Sequence, residues 1–368
     1  MKHKIICGHV LDVLKRLPDE SVDTIITSPP YWKMRSYLPD NHPSKDKEIG
    51  QESTLDEYIS HLLEVTQELK RVLKRTGIMF WNHDTKKQNL CDTMQNYRLI
   101  IRMIDEQGWL MPNKGPIIWF KPNHQPDSFK RGFAHSYEPI FILVKNRNYW
   151  FDLDAIRVPY KTTIEEYKAK LPKSPENKTI FEGGPGHLKY STPEVIERRF
   201  ALGKNPGDVW RIATEPFHDA HFAIFPTKLV EPMIKAGCPQ WICKECGKAR
   251  VRIVRPTGRY ITQGGYGSRT ADLIGASPTS SLRTKKVQEK QTIGWTDCGC
   301  NAGWEAGVVL DPFAGSGTVG VVAERLGRNS ILIDLNKEYC EMALKRLKPL
   351  VAQKKLTGEE SIIETEGF

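Results

Sequence analysis

The stretch VVLDPFAGSGTVGVVAERL, residues 308–326, predicts a buried strand, a glycine-rich turn and a helix. Gly315 and Gly317 let the backbone turn tightly and let a ligand approach main-chain atoms. The turn lacks the Gly-Lys-Ser/Thr ending of the phosphate loop of nucleotide hydrolases. Taken alone, the two glycines fit a ligand-binding turn and a turn shaped only for packing about equally well.

A second predicted strand, SILIDL (330–335), places Asp334 near its carboxyl end, 17 residues after Gly317. A carboxylate at this point suits the two hydroxyl groups of a ribose, as in other doubly wound nucleotide sites. The alternative is that Asp334 only caps the following helix. The turn and the carboxylate together favour a nucleoside ligand.

At the other end of the chain, IITSPPYW (25–32) joins an apolar run to a stiff corner. Two successive prolines lack backbone donors and have a fixed φ, so they end a strand abruptly. In isolation, Ser28 to Tyr31 would be interpreted as a rigid turn with a packed tyrosine.

Strand-like and helix-like segments alternate along most of the chain. Buried strands are predicted at 4–10, 22–28 and 77–84, and helices at 53–77 and 88–108. We expect Ser53 or Thr54 to cap the first of these helices and Gly77 to end it. Long strand–helix–strand connections imply parallel pairing, so the sequence predicts an α/β fold with a doubly wound, Rossmann-like sheet.

The composition fits a polyanion partner without establishing one. Lys and Arg total 54 against 44 Asp and Glu, a net charge of +10, and hydrophobic residues make up 39% of the 368. The first residues do not have the pattern of a secretion signal, and no apolar run is long enough to span a membrane. We therefore expect a soluble, cytoplasmic protein.

Five of the eight cysteines lie between residues 238 and 300. The pairs Cys243/Cys246 and Cys298/Cys300 suit a tetrahedral structural zinc ion, although 51 residues separate them. The alternative is a set of reduced thiols in a loop. Cys238 is a fifth candidate, and the other three are expected to be core or helix thiols: Cys7, Cys91 and Cys340.

TSPPYW (27–32) and DPFAGSGT (311–318) together resemble the amino-directed DNA methyltransferases that use S-adenosyl-L-methionine. Their order matches the permuted beta class of that family, in which the catalytic block comes first and the cofactor block last. Two more blocks, 117–152 and 205–234, are similar to family segments in the expected order. The resemblance covers most of 1–158 and 205–350 and excludes two polar inserts.

This resemblance implies a catalytic site at Ser28, Pro29, Pro30 and Tyr31. It implies a cofactor site formed by Asp311, Pro312, Phe313, Ala314, Gly315, Ser316, Gly317, Thr318, Asp334, Pro226 and Thr227. The chain departs from the family at Gly8–His9, where Gly-Asp is common, so we assign no role to His9.

The chemistry asks for acceptors beside the target nitrogen. An exocyclic amino group is a poor nucleophile because its lone pair is delocalised into the ring. Ser28 Oγ and a proline carbonyl can accept its hydrogens, so that the nitrogen pyramidalises. Tyr31 offers a face for stacking worth about 1–3 kcal/mol, and the base must first be flipped out of the duplex.

Ser28 favours cytosine N4 as the target, because members of the family with Asp or Asn at this position usually modify adenine. Adenine N6 remains the alternative, as do RNA and a protein glutamine amide. A DNA-binding module without catalysis is a further alternative, against which the intact motifs argue. The resemblance implies double-stranded DNA as the partner and therefore a nucleoid-associated location. It also implies a restriction–modification system, a phage or a solitary modifier as the context, and we expect a monomer or homodimer.

The pattern predicts six regions. They are a catalytic half (1–158), a target-recognition insert (159–204), a return to the core that carries the cofactor-methionine region (205–237), a Cys-rich insert (238–300), a cofactor-binding half (301–350) and a loose tail (351–368).

Overall fold

The computed structural model describes residues 1–124, 126, 131–160, 162–169, 200, 202–215, 225–263, 285–356 and 360–368. These residues form two compact units. Unit 1 contains residues 1–152, 207–250 and 298–368, and unit 2 contains residues 153–206 and 251–297. Most of the expected recognition insert lies outside the described residues.

Unit 1 is built on a nine-stranded sheet with the order β15-β1-β14-β13-β2-β3-β7-β6-β8. The strands are β1 (Lys2–Cys7), β2 (Val22–Thr27), β3 (Leu73–Asn82), β6 (Ile117–Phe120), β7 (Tyr137–Val144), β8 (Val209–Arg211), β13 (Val308–Asp311), β14 (Asn329–Asp334) and β15 (Ile362–Glu366). Short two-stranded pairs join β4 (Lys87–Gln88) to β5 (Cys91–Asp92) and β9 (Ile242–Cys243) to β12 (Trp304–Glu305).

The sheet is mixed: the parallel pairing predicted from the long strand–helix–strand connections occurs in most of it, but not at every strand. β7 runs antiparallel to both β3 and β6, whereas the strands from β15 to β3 are all parallel. β6 and β7 are antiparallel neighbours, and the described residues between them, 121–124, 126 and 131–136, include no helix.

Successive side chains of each strand point to opposite faces of the sheet and pack into two cores, one on each face. Ile25 and Met79 enter one core, while their neighbours Ile26 and Ile78 enter the other. The first core is covered by α1 (Val10–Leu14), α2 (Leu55–Val72) and α3 (Gln95–Gln107). The second is covered by α5 (Thr227–Gly237), α6 (Thr318–Arg325) and α7 (Lys337–Leu356). Unit 1 is therefore a three-layer α/β/α structure, as the sequence predicted.

Helix α2 begins where the sequence indicated and ends earlier. Thr54 Oγ1 accepts from the Glu57 amide and Glu57 Oε2 accepts from the Thr54 amide, which completes a capping box. Gly77 does not end the helix, because the chain is already extended from Leu73. Gly77 is instead a point of close packing in β3, where a Cβ atom would lie 2.5 Å from Leu73 Cδ1.

The expectation of a loose tail from 351 to 368 is wrong for the described residues. Helix α7 continues to Leu356, and β15 pairs in parallel with β1 at the edge of the sheet. The sequence signal was weak because this edge strand is short and mostly exposed.

Parallel strands β2 and β13 are neighbours, but the chain leaves them in opposite directions. From β2 it passes through α2 to β3 on one side, and from β13 through α6 to β14 on the other. Such a reversal opens a crevice beyond the carboxyl ends of the two strands, where open α/β sheets bind ligands.

Unit 2 contains α4 (Ile164–Ala169) and an antiparallel ribbon of β10 (Arg252–Gln263) and β11 (Lys285–Trp295). Within the described part of the chain, no helix is both long and apolar enough to cross a membrane.

Candidate active site

A cavity of about 690 Å3 lies in the crevice beyond β2 and β13. It brings together most of the catalytic and cofactor residues expected from the sequence: Ser28, Pro29, Pro30, Tyr31, Asp311, Pro312, Phe313, Ala314, Gly315, Ser316, Thr318 and Asp334. Gly317, Pro226 and Thr227 are not among its lining residues.

The proline corner after β2 is held from below by two buried side chains. Tyr58 Oη lies 2.8 Å from the carbonyl oxygen of Pro30 and donates to it. His83 Nε2 lies 3.0 Å from the same Tyr58 hydroxyl. Because the Tyr58 proton is engaged with Pro30, His83 donates through Nε2. Burial lowers the pKa of His83 to about 3, which keeps the ring neutral.

A second hydrogen-bond network connects the corner to side chains outside it. Ser28 Oγ lies 3.2 Å from Tyr31 Oη, which lies 3.3 Å from Glu138 Oε2. Glu138 in turn forms an ion pair with Lys121 through its other oxygen. Burial, reinforced by the charge of Glu138, raises the pKa of Tyr31 well above its usual value, so the phenol keeps its proton.

The glycine-rich turn after β13 is held by two carboxylates. Asp311 Oδ1 accepts from Thr27 Oγ1 at 2.8 Å and from the Phe313 amide at 3.2 Å. Asp334 Oδ2 accepts from the Gly315 amide at 2.8 Å, and its Oδ1 accepts from the Asn336 amide at 2.9 Å. Burial raises the pKa of Asp311 to about 7 and that of Asp334 to about 6.

The two glycines of this turn serve different purposes. Gly315 (φ +49°) lies on the cavity, and a Cβ atom there would meet nothing within 4 Å. Gly317 (φ +75°) faces α7, and a Cβ atom would lie 2.5 Å from Ala343 Cβ. Close packing against α7 is therefore one reason for a glycine at position 317.

Pro226 and Thr227 begin helix α5 beside the cavity without lining it. The Thr227 amide lies 3.1 Å from Glu215 Oε2, and Thr227 Oγ1 donates to the same carboxylate. Glu215 and Phe225 do line the cavity. The region around Pro226 and Thr227 therefore contributes to the cavity through these two neighbouring residues.

Several lining residues were not predicted. Gly8 and His9 lie there because β1 pairs with β14 and ends level with Asp334. Knowledge of the strand order would have identified Gly8 and His9 as lining residues, but a single sequence does not reveal the strand order. The other unpredicted residues close to the two motifs include Tyr37, Lys121, Glu138, Asn336 and Tyr339. Trp32 does not line the cavity; it packs in the first core and donates to the Glu52 carbonyl.

Four cysteines meet in unit 1 away from this cavity. The sulfur atoms of Cys243, Cys246, Cys298 and Cys300 all lie within 4.8 Å of one another. Cys238 is not part of the cluster; it is buried in the second core at the end of α5. Of the three remaining cysteines, Cys340 is buried as expected, whereas Cys91 is exposed in the β4–β5 pair.

Comparison with known proteins connects this site to one family. A family model described as DNA methylase, with a name that covers N6 and N4 modification, matches residues 22–240 and 303–345. Type II methyltransferase M.Cfr9I of Citrobacter freundii is 28% identical over 93% of this chain and 86% of its own length. DNA adenine methyltransferase YhdJ of Escherichia coli strain K12 is 26% identical over 93% and 82%.

A similar fold occurs in the solved structure of the PvuII cytosine-N4-specific DNA methyltransferase. Its TM-score is 0.55 at 16% identity, with 99% of this chain and 96% of that chain covered. The family match includes β2, β13, β14, the Ser28–Tyr31 corner and the Asp311–Thr318 turn. The chain therefore belongs to the N6/N4 DNA methylase family and is a DNA amino-methyltransferase.

Proposed function

We propose that this protein transfers a methyl group from S-adenosyl-L-methionine to N4 of a cytosine flipped out of double-stranded DNA. The observation that carries the proposal is the single cavity that joins the Ser28–Tyr31 corner to the Asp311–Thr318 turn. Methyl transfer needs nitrogen, methyl carbon and sulfur in line, so donor and acceptor must share one enclosed space.

The turn side of the cavity suits the cofactor. Asp334 provides carboxylate oxygens near Gly315, where the two ribose hydroxyls could bind. Phe313, Tyr37 and Tyr339 add aromatic surface for an adenine ring. When bound, the sulfonium supplies both the methyl group and its leaving group, so the protein needs no covalent nucleophile.

The corner side suits the amino group. Since the Pro30 carbonyl already accepts from Tyr58, and no described residue donates to the Pro29 carbonyl, Pro29 is the carbonyl that remains for the base. Ser28 Oγ and the Pro29 carbonyl would then accept the two amino hydrogens, and the ring of Tyr31 would support the base. The stiff prolines fix this geometry before the base arrives.

Cytosine N4 is preferred over adenine N6 because position 28 is a serine. The similar proteins named above include an adenine enzyme and a cytosine-N4 enzyme, so the serine carries the choice. The Type II methyltransferases among the relatives support a restriction–modification context. The insert at 159–204 remains the proposed region of sequence readout.

Methyl transfer from tritium-labelled cofactor to mixed-sequence DNA tests the proposal. We expect label in DNA, and digestion to nucleosides with mass spectrometry should identify N4-methylcytosine. N6-methyladenine instead would overturn the choice of base while leaving the reaction intact. Absence of label with folded protein would remove the enzymatic function.

We further propose that the four clustered cysteines hold a structural zinc ion. A tetrahedral zinc with four thiolates at about 2.3 Å requires sulfur atoms roughly 3.8 Å apart, which the observed cluster accommodates with small shifts. Cys243 and Cys246 flank a tight turn that Gly247 completes with φ +68°, its amide donating to the Cys243 carbonyl at 3.0 Å. The family model skips 241–302, so this site would be an addition to the family pattern.

Elemental analysis should find one zinc ion per chain. Cys246→Ser should lose the metal and melt at a lower temperature, because zinc binding contributes folding free energy. Cys91→Ser is the matched control, since Cys91 is exposed and outside the cluster. Well under one zinc per chain in the wild-type protein would contradict the proposal.

A further inference from the structure

We propose that Glu138, anchored by Lys121, is a positioning residue that turns Ser28 into an obligate hydrogen-bond acceptor. The site would thereby select a target base with an amino group over one with a carbonyl group. This inference rests on the proposed function of the cavity and goes beyond it, since it assigns the selection to residues far from the corner in the sequence.

The inference starts from the order of the groups in the hydrogen-bond network beside the corner. Ser28, Tyr31 and Glu138 are linked by oxygen–oxygen distances of 3.2 and 3.3 Å. All three residues line the cavity, and the network ends at the ammonium group of Lys121. Each hydroxyl in this chain has one proton, so the direction of one bond fixes the direction of the next.

The direction is set at the carboxylate end. Glu138 forms an ion pair with the Lys121 ammonium group, and a carboxylate in such a pair only accepts hydrogen bonds. The Tyr31 hydroxyl must therefore donate to Glu138, and its oxygen is left to accept from Ser28. In the reverse orientation, Tyr31 would donate to Ser28 and its lone pairs would face the carboxylate, which is repulsive.

The consequence appears at Ser28. Its only proton points at Tyr31, so Ser28 presents lone pairs to the cavity. The Pro29 carbonyl beside it is also an acceptor. A base that offers N–H donors at this point satisfies both groups, whereas a base that offers a carbonyl oxygen faces two acceptors and no donor. Because cytosine and adenine both have amino groups, the inference holds for either target.

Glu138 is itself held in place by neighbouring strands. It lies in β7, opposite Trp119 of β6, and Lys121 follows directly after β6. The Lys121 ammonium lies 4.5 Å from the centre of the Trp119 ring, and its backbone amide donates to the Ser136 carbonyl at 2.8 Å. The charge that orients Ser28 is thus fixed by the sheet.

The test measures binding of duplexes that differ only in the target group. At the mapped site, the target base is compared with its deaminated form, uracil for cytosine or hypoxanthine for adenine, with the demethylated cofactor present. Both bases are placed opposite an abasic position, so that unpairing costs the same. Wild-type protein should bind the amino base at least about tenfold more tightly.

Two variants should reduce this preference. Tyr31→Phe keeps the ring and removes the relaying oxygen, so Ser28 can rotate and donate to a carbonyl. Glu138→Gln keeps the shape and removes the charge that sets the direction. In both, the preference should fall to about twofold or less and kcat should fall more than KM changes. Glu106→Gln, an exposed glutamate paired with Arg102 on α3, is the control that should behave as wild type.

The outcomes distinguish a failure of this inference from a failure of the proposed methyltransferase function. If wild-type protein methylates DNA but Tyr31→Phe and Glu138→Gln keep the full preference, the positioning role is wrong and the function stands. Equal wild-type binding of both bases would also overturn it. If no DNA is methylated, the proposed function fails first. Melting curves of each variant check that any loss is not a loss of folding.

Discussion

Two turns lie side by side at the carboxyl ends of β2 and β13, and they are held in shape by different means. The Ser28–Tyr31 corner depends on side chains from remote parts of unit 1, among them Tyr58 of α2 and Glu138 of β7. In the Asp311–Thr318 turn, backbone amides donate to two carboxylates at strand ends. At the corner, remote side chains bind a carbonyl and a hydroxyl group, whereas in the turn two carboxylates bind backbone amides.

This difference indicates what each turn must achieve. A corner that accepts hydrogens from a base needs fixed acceptor directions, which prolines and buried hydroxyls provide. A turn that approaches a nucleoside needs free space above its backbone, which Gly315 provides. Substitutions at the corner should therefore change the rate, and substitutions in the turn should change folding or cofactor affinity.

The largest expected effect is at the corner itself. Ser28→Ala removes one acceptor for the amino group and should lower kcat by about 10²–10³, by analogy with the loss of one oxyanion-hole donor. Single-turnover methyl transfer at saturating cofactor measures it, and melting temperature should hardly change. Ser53→Ala, an exposed serine nearby in sequence, is the control. If Ser28→Ala lowered cofactor affinity and left the rate unchanged, the assignment of the rate to the corner and of cofactor affinity to the turn would be wrong.

In the turn, the largest effect should be on folding. Gly317→Ala places a Cβ atom 2.5 Å from Ala343 Cβ at φ +75°, so it should cost roughly 3 kcal/mol of unfolding free energy through overpacking and strain. Gly315→Ala is the matched variant, because it has open space at φ +49° and should cost only about 1–2 kcal/mol. Urea denaturation measures both, and equal costs would contradict the packing role of Gly317.

The sequence predicted these turns unequally well. The glycine-rich turn, Asp334 and the proline corner are local patterns, so their residues could be named before the fold was known. Glu138, Tyr58 and His83 could not, because their relation to Ser28 and Pro30 depends on which strands and helices become neighbours. The antiparallel β7 that carries Glu138 and the β15 edge strand follow from tertiary pairing, which local propensity does not determine.

The turn should also respond to pH through Asp334. Its pKa of about 6 lies above the ordinary 3.8, so the folded state holds the proton more strongly and folding stability should fall as pH rises from about 4 to about 6. Cofactor affinity should change in the opposite direction, because the ionised carboxylate accepts from ribose hydroxyls. Calorimetric titration from about pH 8 to about pH 5 should show affinity falling by up to about tenfold per unit below pH 6. A cofactor affinity that does not change with pH would contradict the binding of the ribose hydroxyls by Asp334.

The smallest effect is expected beneath the corner. Tyr58→Phe leaves the Pro30 carbonyl and His83 Nε2 without their partner, which should cost about 1–2 kcal/mol of unfolding free energy. Because the prolines themselves still restrict the backbone, kcat should fall by less than about tenfold, well short of Ser28→Ala. Denaturation and single-turnover rates measure the two quantities, with Tyr97→Phe on α3 as the control. A rate loss as large as that of Ser28→Ala would mean that the buried tyrosine, more than the proline pair, sets the geometry of the corner.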